Sequence, residues 1–181
     1  MSIYLIRHGK TEANERHLYC GSTDLPLSPA GIAELQTLHY SLQNVRFITS
    51  GMKRTEQTLD ILFGPVPHTQ DVRLREVDFG IFEMHSYEDL KDTPAYQAWI
   101  TGDNEANIPP DGESGNQMTH RVLEAFAQIP DNTVVITHGG VIAAIMAHLF
   151  PEENKNRYQW QPRPGNGYEI MDGQYRSLPL K

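Results

Sequence analysis

The residues able to do chemistry collect at three places where an apolar run gives way to polar, glycine-containing sequence. Leu5-Ile6 leads into Arg7-His8-Gly9, Phe47-Ile48-Thr49-Ser50 runs into a helical pattern carrying Arg54, and Val134-Val135-Ile136-Thr137 delivers His138-Gly139-Gly140. Each run is short and rich in β-branched or aromatic residues, as strands are. Ligands of an open parallel α/β sheet bind beyond the carboxyl ends of its strands. If the three runs are parallel neighbours, Arg7, His8, Arg54 and His138 reach one crevice. Arginine offers a fixed fork of donors with permanent charge, and a helix start offers free amides, so the set describes a pocket for a phosphoryl group. A neutral imidazole beside it is a nucleophile, and neighbouring arginines favour the neutral form.

The elements that must hold these residues follow from pattern. A strand is predicted over 2–6, and a helix starts at Ser28-Pro29 with Ile32, Leu35, Leu38 and Leu42 on one face. A strand over 45–49, a helix over 52–63 ended by Gly64-Pro65 and a strand over 66–72 come next. Residues 74–80 read as a polar loop. Residues 81–115 read as an irregular excursion over the sheet edge, where lids and specificity loops sit. A helix over 113–129, a strand over 133–137 with its following helix, and a hairpin turning at Asp172-Gly173 complete the chain. The expected fold is α/β, a three-layer α/β/α sandwich with a mostly parallel central sheet, in one domain spanning 1–181.

Composition narrows the partners. The net charge of −8 gives no general affinity for nucleic acid or anionic membrane, so positive charge serving an anion must be local. The single cysteine, Cys20, cannot form an intramolecular disulfide and fits a reducing compartment. The apolar opening is too short for a signal peptide, and no apolar run spans a bilayer; a cytoplasmic protein, monomeric or homodimeric, is expected. Rival chemistries fail on spacing. A P-loop ending at Gly9-Lys10-Thr11 needs a glycine where Tyr4 stands, and a cysteine phosphatase needs an arginine where Pro26 stands. No H-E-x-x-H pairing occurs, so neither metal nor cofactor is expected.

These residues together resemble the histidine phosphatase superfamily, of phosphoglycerate mutase-like fold. Leu5-Ile6-Arg7-His8-Gly9-Lys10-Thr11 with Asn14 resembles the L-x-R-H-G-x-T signature. Gly21 with Leu25–Gly31, then Ser50–Thr58, then Leu74-Arg75-Glu76 with Phe79-Gly80, and finally Thr137–Gly140 are similar to its later motifs in the same order. The resemblance implies a metal-independent phosphomonoesterase working through phosphohistidine on His8, with Glu76 as general acid and base. Arg7, Arg54 and His138 would hold the phosphoryl oxygens, with Asn14, Gly21 and Gly139 assisting. The phosphate's own negative charge would help Glu76 stay protonated until it donates. Asp78, Glu83 and Glu113 are alternative acids. Lys10 departs from the usual Glu or Gln and would add positive potential at the pocket mouth. His85, Tyr87, Tyr96 and Trp99 either line that mouth or pack a lid.

Within the superfamily, Phe82-Glu83-Met84, Ala95–Trp99 and Pro110–Glu113 are similar to alpha-ribazole phosphatases of the cobalamin pathway, which makes alpha-ribazole 5′-phosphate the first candidate substrate. A phosphoglycerate mutase-type phosphotransferase and a non-catalytic module binding phosphate esters remain the alternatives.

Overall fold

The computed structural model describes residues 2–179. Six strands, β1 (Ser2–Arg7), β2 (Arg46–Thr49), β3 (Thr69–Gln70), β4 (Thr133–Thr137), β5 (Gly167–Met171) and β6 (Gln174–Leu178), make one sheet ordered β3-β2-β4-β1-β5-β6. The helices are α1 (Glu12–Glu15), α2 (Pro29–Leu35), α3 (Lys53–Phe63), α4 (Tyr87–Leu90), α5 (Pro94–Ile100), α6 (Gly115–Phe126), α7 (Gly139–Leu149) and α8 (Arg157–Trp160). Among the described residues no helix is long and apolar enough to cross a membrane.

The three chemistry-bearing strands are neighbours. β4 lies between β1 and β2, parallel to both, and is buried at every position. Burial on both faces is why Val134-Val135-Ile136 is continuously apolar instead of alternating. Period-two alternation then sorts side chains between layers. Ile3, Leu5, Ile48 and Val135 meet Met118 and Val122 of α6 and Val141, Ile142 and Ile145 of α7. Tyr4, Ile6, Phe47, Val134 and Ile136 meet Leu59, Leu62 and Phe63 of α3. Helices therefore cover both faces, and the three-layer arrangement is that of the sequence expectation. β5 and β6 close the other edge antiparallel, turned by Asp172 and Gly173 at φ 48° and 75°.

Four local expectations are corrected. α2 stops at Leu35 and does not continue to Leu42. The Thr37 hydroxyl caps the Glu34 carbonyl, and the Tyr40 hydroxyl is drawn to Gly165 O at 2.6 Å, so tertiary bonds end a periodicity that could have continued. The strand over 66–72 shrinks to Thr69–Gln70, because Pro67 cannot donate to a ladder and residues 72–74 turn into a 3₁₀ helix. The loop 74–80 is not polar throughout: Leu74 and Val77 are buried in the α6/α7 core. The helix over 113–129 is trimmed to Gly115–Phe126: the capping box of Ser114 and Gln117 sets its start, and at its end Gln128 and Ile129 donate three residues back, to Ala125 O and Phe126 O. Residues 81–115 carry their own small core, in which Phe82, Leu90 and Tyr96 pack with Tyr19, Phe79 and Trp99.

Candidate active site

His8 is the first residue past β1. Its amide donates to Thr137 O at 2.9 Å, so the ends of β1 and β4 are tied at that point. Its Nδ1 lies 2.6 Å from Gly9 O. A carbonyl can only accept, so the ring proton sits on Nδ1 and Nε2 presents a lone pair. Gly9 donates to Thr58 Oγ1 at 2.9 Å, and Thr58 in turn donates to Arg54 O. A side chain on Gly9 would meet Leu35 Cδ1 at 2.7 Å, so the glycine lets Leu35 of α2 and Leu27 pack closely against the backbone. His138, past β4, is fully buried, and its ring stands edge-on to His8 with centroids 5.1 Å apart. Ser50, past β2, lies 2.8 Å from His138 Nε2. The three strand ends thus converge on a histidine pair.

Burial, then the charges of Arg54 and Arg7, push His8 well below the ordinary histidine range. Burial and the same arginines, with His8, do likewise to His138. Both rings are therefore neutral near pH 7. Burial also lowers Arg7, opposed by the charge of Glu76. Arg7 Nε and His138 Nδ1 are buried without a hydrogen-bond partner. Orphaned buried groups are uncommon, and these two nitrogens could both donate to a bound anion.

Arg54 is not on a solvated helix face. It is 1 % exposed, donating to Gly21 O at 2.7 Å and Thr23 O at 2.9 Å. Glu76 comes from the loop after the 3₁₀ turn. Its Oε2 accepts the Gly140 amide at 2.9 Å, and its Oε1 accepts from Val77 N. Arg121 of α6 binds that loop by donating to the carbonyls of Arg73, Arg75 and Glu76, and it pairs with Glu113. The alternative acids are engaged elsewhere: Asp78 accepts from Ser22 Oγ and Gly80 N, Glu83 gathers the amides of 21–23, and Glu113 holds Arg121.

The structure brings Arg7, His8, Arg54, Glu76, His138 and Gly139 together; a side chain on Gly139 would lie 3.1 Å from Arg7 Nε. The other expected contacts differ. Asn14 turns its oxygen to the Thr11 amide in the capping box of α1. Gly21 is fitted against the loop of Glu76, where a Cβ would lie 1.6 Å from Val77 O, and offers its carbonyl to Arg54. Lys10 pairs with Glu34 at 2.7 Å, which offsets the positive potential expected of it. Cys20 is half-buried and burial pushes its thiol up, away from reactive thiolate.

Beside Glu76 opens a cavity of about 190 Å³, walled by Tyr19, Phe79, Tyr96, Trp99 and Tyr158, with Asn104, Arg157 and Gln161 as polar groups. Of the four aromatic-segment residues expected there, Tyr96 and Trp99 line it; His85 and Tyr87 are exposed and do not. Sequence reading missed Tyr19 and Tyr158, which no local motif distinguishes, the place of Phe79 in this wall, and Arg121, which looks like any polar residue of an amphipathic helix. A larger groove of about 600 Å³ along α6 and α7 shares Asn104, Gly140, Arg157 and Tyr158 with this cavity; Glu76 lines the smaller one, and His8 and His138 line neither. No group of three or more His, Cys, Asp or Glu among the described residues is placed to hold a metal ion.

The family model of the histidine phosphatase superfamily, branch 1, matches residues 3–174. An adenosylcobalamin/alpha-ribazole phosphatase of Salmonella typhimurium is 34% identical over 96% of this chain and 92% of its own length. A probable phosphoglycerate mutase of Yersinia pestis is 28% identical over 82% of this chain and 74% of its own length. An Escherichia coli structure described as an alpha-ribazole-5′-P phosphatase superposes with TM-score 0.84 at 27% identity, covering 99% of this chain and 95% of that one. With its motifs on three adjacent strand ends and a family match running through nearly the whole sequence, this chain belongs to the histidine phosphatase superfamily, branch 1.

Proposed function

We propose that this phosphatase is a metal-independent phosphomonoesterase that works through a phosphohistidine on His8 and hydrolyses alpha-ribazole 5′-phosphate. The observation that carries the mechanism is the state of His8: a neutral ring, its Nδ1 proton committed to Gly9 O, its Nε2 free beside the guanidinium groups that neutralise an anion. In the first step Nε2 attacks phosphorus while the bond to the leaving oxygen breaks. Glu76 gives that oxygen its proton. Arg7, Arg54 and His138 take up the charge on the equatorial oxygens, where the two orphaned nitrogens find partners. In the second step water attacks phosphorus, its proton passes to the Glu76 carboxylate, and the phosphorus–nitrogen bond breaks to release phosphate.

The leaving group must lie on the Glu76 side, and there the cavity is walled by aromatic rings. Rings of this kind suit a planar heterocycle such as the base of a ribazole. The curated relatives named for that activity support the choice of ester. A phosphoglycerate mutase reading needs a cation for the substrate's carboxylate; Arg157, the cation of this lining, is paired with Glu105 at 2.5 Å. A net charge of −8 supports a small ester, and not nucleic acid or an anionic membrane, as the partner.

The test is phosphate release in EDTA from alpha-ribazole 5′-phosphate, 3-phosphoglycerate and p-nitrophenyl phosphate, wild type beside His8→Ala. Release that survives EDTA, favours the ribazole ester and vanishes in the variant is expected. Equal release by the variant would overturn the mechanism, and preference for 3-phosphoglycerate would overturn the substrate.

A further inference from the structure

Arg54 is aimed by backbone carbonyls, not by a carboxylate. Its two bonds go to Gly21 O and Thr23 O, so its position depends on what holds residues 21–23. That segment is a loop without helical or strand support. Its amides all turn to one side chain. Glu83 accepts from Gly21 N at 2.9 and 3.1 Å, from Ser22 N at 2.9 Å, from Thr23 N at 3.4 Å and from Thr23 Oγ1 at 2.8 Å. The same carboxylate accepts Phe79 N at 3.1 Å, three residues beyond Glu76. Loop 21–23 also lies directly on the acid loop, where Gly21 leaves no room for a Cβ against Val77 O.

We infer that Glu83 is a positioning residue: it sets Arg54 and the loop of Glu76 at a fixed spacing around the transferred phosphoryl group. The carboxylate draws the amides of 21–23 to one side, which turns the Gly21 and Thr23 carbonyls toward the guanidinium. Chains of hydrogen bonds polarise one another, so those carbonyls also become stronger acceptors for Arg54. A glutamine is the same size but must place an NH₂ among converging donors, so part of the set breaks. A misplacement of this kind, remote from the reacting atoms, is costly because the charges must meet the transition state in register. The inference rests on Arg54 binding the phosphoryl oxygens.

The test is a double-mutant cycle of Glu83→Gln and Arg54→Lys, read as kcat/KM for p-nitrophenyl phosphate and, independently of turnover, as the Kd for orthovanadate. In the wild-type background Glu83→Gln is expected to weaken both by about ten- to a hundredfold, the scale of one charge-assisted hydrogen bond. In the Arg54→Lys background the further loss is expected to be under about threefold, since coupled residues are not additive. Losses that multiply independently, or a Glu83→Gln protein equal to wild type, overturn the inference. If Glu83→Gln does not fold, as read from its thermal melt, Glu83→Asp is carried through the same cycle under the same criteria. Coupled losses in vanadate binding without turnover of any ester would sustain the positioning role while removing the phosphatase reading.

Discussion

Two regions meet at Glu76 and are built by different means. On one side, His8, His138 and Ser50 stand at the ends of three hydrogen-bonded parallel strands, with Arg54 in the first turn of α3. Their positions follow from ladder register, and their side chains are almost wholly buried. On the other side, the cavity wall takes Tyr19 from before α2, Phe79 from the acid loop, Tyr96 and Trp99 from α5 and Tyr158 from α8. Tyr19, Phe79, Tyr96 and Trp99 are aligned by packing on one another and by the hydrogen bond between the Tyr19 and Tyr96 hydroxyls at 2.6 Å, while Tyr158 is 74% exposed. The first region has backbone-fixed geometry suited to charge stabilisation. The second has side-chain geometry that can change without disturbing the sheet. On the proposed mechanism, chemistry common to all esters would belong to the first and choice among esters to the second.

The largest effects should come from the strand-end region and should not depend on the ester. His8→Ala removes the covalent route, and phosphate release from every ester is expected to fall to the level without enzyme; release from one ester alone would break the division. Glu76→Gln keeps the Gly140 amide bond within reach and loses the transferable proton. Its kcat should drop roughly a hundredfold to ten-thousandfold for esters with poor leaving groups. The drop should be smaller for p-nitrophenyl phosphate, whose leaving oxygen needs little proton. An equal drop for both kinds of ester would mean that Glu76 is not the acid.

The same region should also carry a pH signature in stability. Burial holds His8 and His138 neutral in the folded protein, while in the unfolded chain they titrate near about 6.5. Below that pH the unfolded state binds more protons, so stability falls as pH falls. Each histidine adds a slope approaching about 1.4 kcal/mol per pH unit, and urea midpoints at pH 7 and 5 measure it. His138→Gln should flatten the slope; an unchanged slope would mean that the ring is protonated in place. The smallest effect belongs to the mouth. Tyr158→Ala should lower kcat/KM about two- to tenfold for a ring-bearing ester, the scale of one aromatic contact, and leave glycerol phosphate unchanged. Equal losses on both esters would place Tyr158 in the structure of the site and not in its selectivity.

The division also explains what could be read in advance. His8, Arg54 and His138 were legible because a strand of period two followed by a glycine-containing turn puts its next side chain at the sheet's carboxyl edge. The uninterrupted apolar run of 134–136 announced a strand, and the ladder then placed β4 between β1 and β2. The length of α2 was not legible, because Tyr40 ends it through a bond to Gly165 O, 125 residues away. Neither was the anchoring of the acid loop, where the Arg121 guanidinium reaches carbonyls 45 to 48 residues earlier.

What the sequence by itself determined is the central sheet and the chemical groups at its edge, since periodicity and residue type act over a few neighbouring positions. Only the tertiary structure decided that Lys10 is paired, that Glu83 gathers the Arg54 loop and that five rings wall the cavity beside Glu76. Those outcomes depend on which distant groups compete for the same hydrogen bond or the same space. Local pattern carries no record of that competition.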